Sequence, residues 1–138
     1  MPRPDLYHDV VKEAITKDGW VITDDPLVIR YKGLRLYADL AAEKLIAAQK
    51  GEGKIVVEVK VFRGPSLITE LERAVGQYVI YRTILRRITS EFKLYLAIDI
   101  EVDKDFFIQQ AIEDIVDDNQ INLVVFDPEL EEIVEWRN

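Results

Sequence analysis

Residues 54–62 constrain this chain more tightly than any other stretch. In Lys54-Ile55-Val56-Val57-Glu58-Val59-Lys60-Val61-Phe62, the odd positions Ile55, Val57, Val59 and Val61 fall on one side of an extended backbone. Val56, Glu58, Lys60 and Phe62 fall on the other, so the run reads as a strand that carries one acid and one base among apolar neighbours. A helical pattern follows over residues 66–88, with Ile68, Leu71, Val75, Tyr78, Val79 and Leu85 on its apolar side. Residues 94–98 are then apolar on both faces, the pattern of a strand inside a sheet covered twice. A strand–helix–strand unit of this kind crosses over right-handed and sets two strands parallel. The expected class is α/β, a mixed central sheet flanked by helices on both faces, in a single domain spanning residues 1–138.

The remaining elements fit around that unit. Leu6, Tyr7, Val10, Val11, Ala14 and Ile15 recur at helical spacing over residues 5–17, with Gly19 as a stop. Residues 20–23 and 27–31 read as short strands around the turn Asp24-Asp25-Pro26, and Lys32-Gly33 turns the chain into an extended run over 34–40. Residues 41–49 have high helix propensity. They nevertheless lead through a glycine-containing turn into the strongest strand, so hairpin pairing is expected to make them a strand. A helix over 104–118, capped by Asp103, and closing strands over 123–126 and 133–136 complete the order.

The chain has 26 acidic and 18 basic residues, a formal net charge of −8. Binding to nucleic acid is driven largely by releasing counterions from phosphates, which a net-negative protein opposes unless its bases cluster. Arg73, Arg82, Arg86 and Arg87 do cluster along the predicted long helix, either as a phosphate-binding face or as a solvated one. A protein so acidic would need a divalent cation or a partner to approach DNA. There is no cysteine, which excludes disulfides and thiolate metal sites. No apolar run reaches the roughly 20 residues of a membrane span and no signal peptide is evident, so an intracellular, cytoplasmic location is expected.

Glu58 and Lys60 share one strand face, and a carboxylate beside an ammonium there has a use in phosphodiester hydrolysis. With a second acid the carboxylate can hold a divalent ion that polarises the phosphate and lowers the pKa of a bound water. The lysine can position that water or offset charge on the transition state. Asp39, at the end of the preceding extended run, is the natural second acid, and oxygen ligands of this kind suit Mg²⁺ or Mn²⁺. Glu58 and Lys60 could equally be the solvated face of an edge strand. A second Glu-x-Lys, Glu91-Phe92-Lys93, lies at a strand entrance without an acid-bearing strand before it, and position favours the first. On the long helix Glu70, Arg73, Gln77 and Tyr81 form one polar stripe, from which Gln77 could reach toward Lys60. Gly76, in mid-helix, could serve a close approach of the backbone. Glu13 on the first helix could add a metal ligand, and His8 reads as a surface residue.

Taken together, Tyr37-Ala38-Asp39-Leu40-Ala41-Ala42-Glu43-Lys44, Ile55-Val56-Val57-Glu58-Val59-Lys60, and Glu70-Leu71-Glu72-Arg73-Ala74-Val75-Gly76-Gln77-Tyr78-Val79-Ile80-Tyr81-Arg82 resemble the XisH family. The likeness extends from Asp5-Leu6-Tyr7-His8 to Glu135-Trp136. It implies a controlling factor for excision of the fdxN element in cyanobacteria, acting in heterocysts beside a XisI-type companion protein and a site-specific recombinase. It also implies a restriction-endonuclease-like fold of the PD-(D/E)XK kind, with Asp39, Glu58 and Lys60 on the motif positions and Gln77 on the helix position. Ala38 stands where that motif usually has proline. Two functions follow: a metal-dependent endonuclease, or a protein-binding module that retains the fold without catalysis. DNA and the companion are the expected partners, an oligomer is expected, and residues near Trp136 and Phe106 are candidates for the companion surface.

Overall fold

The computed structural model of the chain describes residues 6–46, 51–89 and 91–138. Helix α1, His8–Lys17, buries Val11, Ala14 and Ile15 and ends where Gly19 turns with φ +98°. Strand β1 is Val21–Asp24, and β2, Leu27–Tyr31, pairs with β3, Leu34–Ala38, in a separate two-stranded hairpin. Its two turn residues, Lys32 and Gly33, both have positive φ, the backbone that lets a two-residue loop match the twist of its strands.

Strand β4, Leu40–Ile46, runs antiparallel to both β1 and β5, Gly51–Val59. Pairing on two sides has thus overridden helix propensity over residues 40–46; residues 47–49 of the expected strand lie outside the described residues. Strand β5 begins and ends three residues earlier than the expected 54–62. The Lys60 N–H still bonds the Ala97 carbonyl at 3.0 Å, but the chain then leaves the sheet. Phe62 remains buried against Phe106 and Phe107.

Helix α2, Leu67–Ile88, begins at Ser66, whose hydroxyl accepts the Thr69 N–H. It buries Leu71, Ala74, Tyr78, Tyr81, Ile84 and Leu85. Ile68, expected inside, is 47% exposed because the buried stripe begins one turn later. The expected close approach at Gly76 is also absent: an added Cβ would meet nothing within 4 Å outside the helix's own backbone. Strand β6, Phe92–Asp99, lies parallel to β5 and to β7, Leu123–Asp127; β8, Glu132–Arg137, closes antiparallel on β7. Among the described residues the main sheet therefore has six strands in the order β1-β4-β5-β6-β7-β8.

The expected continuous helix over 104–118 is instead broken in two and preceded by a further single turn. A single turn α3, Ile100–Val102, runs into a π-helical turn, Asp103–Phe107, and the chain is extended at Gln109 before α4, Gln110–Asp118. The wider turn allows the adjacent residues Phe106 and Phe107 both to enter the core, packed edge to face at 5.6 Å. Asp103 is not the cap. Asp99 accepts the N–H groups of Glu101 and Val102, and Asp103 takes two hydrogen bonds from Arg137 at 2.7 Å. Phe106, at 6% exposure, cannot contribute an exposed surface.

Two apolar clusters occupy opposite faces of the sheet. Val56, Leu94, Leu96 and Ile98 pack with α2, the π turn and α4, whereas Ile55, Val57 and Val59 pack with Val11 and Ile15 of α1. The strict alternation along β5 divides these clusters and sends Glu58 to the α2 side.

Candidate active site

Strand β5 stands between β4 and β6, so the edge-strand reading of Glu58 and Lys60 fails. At 7% exposure Glu58 is the one charged residue classed as buried among the described residues. Burying a carboxylate is costly unless hydrogen bonds hold it, and a backbone N–H and a side-chain amide donate to this one. Because Leu40 is the register partner of Val57, Asp39 falls beside Glu58. The Asp39 N–H donates to Glu58 Oε1 at 2.7 Å, and the Val59 N–H donates to Asp39 Oδ2 at 2.8 Å. Each strand thus binds the other's carboxylate through its backbone. From α2 above, Gln77 Nε2 donates to Glu58 Oε2 at 3.1 Å.

The helical stripe read from the sequence faces this pair. Glu70 holds Lys60 Nζ at 3.5 Å and lies 3.4 Å from Arg73. Tyr81 is in hydrogen-bond contact with Gln77 and donates its hydroxyl to the Tyr37 carbonyl at 2.9 Å. Burial pushes the Tyr81 phenol up against hydrogen bonds to Gln77 and Tyr37 that pull it down, and the negative charge of Glu58 and Asp39 pushes it further up. It therefore remains a protonated donor at neutral pH. Glu70 and Tyr81 were visible as members of the stripe, yet their attachment to the site depends on where α2 crosses the sheet.

Asp39, Glu58, Lys60 and Gln77 are thus brought together. Glu13 is not: it is exposed on α1, which packs on the opposite face. No group of three acidic, histidine or cysteine side chains gathers to hold a metal among the described residues. The rival Glu91 lies at the other end of the sheet, where it pairs at 3.3 Å with Lys54 near the start of β5. The arginine cluster is dispersed. Arg82 donates to the carbonyls of Asn119 and Gln120, Arg73 turns to Glu70, and Arg86 and Arg87 are exposed. His8 is tied down as well, its Nε2 2.7 Å from Asp25 Oδ1. Trp136 packs on Trp20 and Tyr95 and donates to Asp18 at 3.0 Å.

The fold and site define an α/β domain with two carboxylates, an amide and a lysine gathered at the carboxyl end of a central strand, the end at which open α/β sheets present their ligands. The family model of the XisH protein matches residues 1–134, and the chain belongs to the XisH family. Its structure is similar to the crystal structure of an XisH family protein from Nostoc punctiforme PCC 73102, with a TM-score of 0.87 and 41% identity, covering 97% of this chain and 100% of that one. It is equally similar to an fdxN element excision controlling factor protein from Anabaena variabilis, with a TM-score of 0.88 and 42% identity over 98% and 100% of the two chains. A search of curated proteins returns no match. Among the described residues no helix is long and apolar enough to cross a membrane.

Proposed function

We propose that this protein controls excision of an fdxN-type DNA element, the role for which its Anabaena variabilis neighbour is named, and does so at the phosphodiester backbone through a PD-(D/E)XK-type nuclease site. The observation that carries the reading is the crossed pair of hydrogen bonds, Asp39 N–H to Glu58 and Val59 N–H to Asp39. It sets the acid that immediately precedes β4 beside the acid in β5, oriented by neutral donors. Two carboxylates with water completing the shell fit Mg²⁺ or Mn²⁺, which keep much of their hydration, and do not fit a zinc site. When bound, such an ion would polarise the phosphate and lower the pKa of a coordinated water. Asp39 and Glu58 would hold it, Gln77 keeps the Glu58 carboxylate in orientation, and Glu70 keeps the Lys60 ammonium above the strand end. A XisI-type companion and a site-specific recombinase belong to the same proposal.

The second reading is a protein-binding module without catalysis. The net charge of −8 favours it, because such a chain resists DNA until a partner or cation offsets the charge. Nicking of supercoiled DNA with Mg²⁺ or Mn²⁺, with and without the companion, separates the two. Metal-dependent nicking abolished by Glu58→Gln and by Lys60→Ala is expected. Nicking that persists in those variants sinks the catalytic assignment, and no nicking in any condition beside a tight companion complex establishes the module.

A further inference from the structure

We infer that the β2–β3 hairpin is the surface by which this protein grips the sugar–phosphate backbone of duplex DNA beside the Asp39–Glu58 site. The inference rests on the nucleic-acid reading above but not on cleavage.

Between Asp25 and Asp39 there is no acidic residue, yet Arg30, Lys32 and Arg35 lie there, in a chain of net charge −8. The hairpin register makes Arg30 and Arg35 direct cross-strand partners, next to the pair Val28 and Tyr37. Ile29 is buried, and Leu27, Tyr31 and Leu36 pack against the main core, so the alternate positions Val28, Arg30, Arg35 and Tyr37 share the outer face. All four are exposed.

Like charges directly opposite one another destabilise a hairpin, and an acid at either position would relieve the cost. No such acid is present: among the described residues neither guanidinium makes a hydrogen bond or ion pair. A polyanion placed across both arginines would remove the repulsion. Guanidinium groups suit phosphate through paired N–H donors, and Tyr37 adds an exposed aromatic ring beside them.

The hairpin is also fixed to the site. Tyr81 holds the Tyr37 carbonyl at 2.9 Å, and β3 ends at Ala38, one residue before Asp39. From Arg35 to Asp39 is about 13 Å of extended chain, roughly the axial rise of four base pairs. A backbone held by the two arginines therefore lies within a few nucleotides of the carboxylates. An anionic membrane surface offers phosphates too, but it does not account for the join between the hairpin and the carboxylate pair.

The test is binding of a fluorescent DNA duplex across a salt series, with Ca²⁺ in place of Mg²⁺ so that a divalent cation offsets the carboxylates while cleavage is suppressed. Arg30→Gln with Arg35→Gln should lower the slope of log affinity against log salt by about 1.8, equivalent to about 60-fold at 0.1 M salt. Arg30→Lys with Arg35→Lys should keep most of the slope, and Arg86→Gln with Arg87→Gln should leave it unchanged. The melting temperature of the glutamine pair should not fall, since its exchange removes a repulsion. The inference is overturned by an unchanged slope, by an equal loss in the Arg86/Arg87 pair, or by no duplex binding at low salt. It is also overturned if the glutamine pair loses affinity for anionic phospholipid vesicles while DNA binding stays intact. A protein that binds through the hairpin and never nicks refutes the nuclease proposal alone; Glu58-dependent nicking undiminished in the glutamine pair refutes the hairpin alone.

Discussion

Two acid clusters in this molecule are built on opposite plans. At the end of β5, the hydrogen bonds that orient Asp39 and Glu58 come from backbone N–H groups and the Gln77 amide. At the edge strand β8, Asp103 is met by two guanidinium N–H groups of Arg137, which also bonds Glu135. A cation fixes a carboxylate and neutralises it in one step. An amide fixes the carboxylate while leaving its charge for something else to use. The Arg137 guanidinium is held firmly in its charged form, first by its hydrogen bonds to Asp103 and then by those to Glu135, against the opposing effect of burial. On the proposed function, the Arg137 cluster serves structure and the Glu58 cluster keeps its charge for chemistry.

The hardest test of that contrast is substitution at the two clusters in one assay. Glu58→Gln and Asp39→Asn keep shape but remove charge, and should each reduce metal-dependent nicking by at least about 100-fold, in line with losses of central electrostatic groups. Glu58→Ala should in addition cost about 1–3 kcal/mol of stability by urea unfolding, because the Asp39 N–H and the Gln77 amide lose their acceptor. Nicking at the wild-type rate in Glu58→Gln would erase the distinction between the clusters. Asp103→Ala should leave nicking intact and cost about 1 kcal/mol, a paired charge-assisted bond reduced by solvent screening at a partly exposed arginine. A loss of nicking there would show that both clusters serve the reaction.

A smaller effect sharpens the account of α2. Gly76 faces open space, so Gly76→Ala should raise stability by about 0.5–1 kcal/mol, read as a higher melting temperature with nicking unchanged. A destabilised variant would mean that the backbone at Gly76 meets something in solution. The smallest effect concerns a third cluster of the neutralised kind, where Lys12 and His8 meet Asp25 at 2.6 and 2.7 Å. Burial would raise the Asp25 pKa, but the hydrogen bonds from Lys12 and His8 outweigh it and hold it below the ordinary 3.8. Asp25 therefore contributes stability that is present above pH 3.8 and is lost as pH falls through its depressed folded value. The stability gap between wild type and Asp25→Asn should close in that acid range; a gap independent of pH would refute the pairing.

Much of the site was legible because its signals are local. Alternation along β5 placed Glu58 and Lys60 on one face, and steps of three and four along α2 placed Glu70, Gln77 and Tyr81 on one stripe. Glycine in the Lys32-Gly33 turn marked the hairpin, and the β-α-β order implied the parallel pair. Asp39, at the end of the extended run before β5, was legible by its position as the matching acid. What misled was also local. The 104–118 stretch has helical periodicity throughout, yet the need to bury Phe106 and Phe107 together introduced a π turn and moved the cap from Asp103 to Asp99. Ile68 has the right spacing for the core and is exposed nonetheless.

The sequence by itself determined which side chains share a face, since strand and helix periods depend only on the backbone. Tertiary structure alone decided which faces meet. Whether Glu58 stood on a solvated edge or at the sheet centre depended on β4 and β6 closing on either side, and whether Glu13 reached the acids depended on which face α1 covered. Those are long-range outcomes of burying apolar area on both faces of one sheet, and no window along the chain contains them.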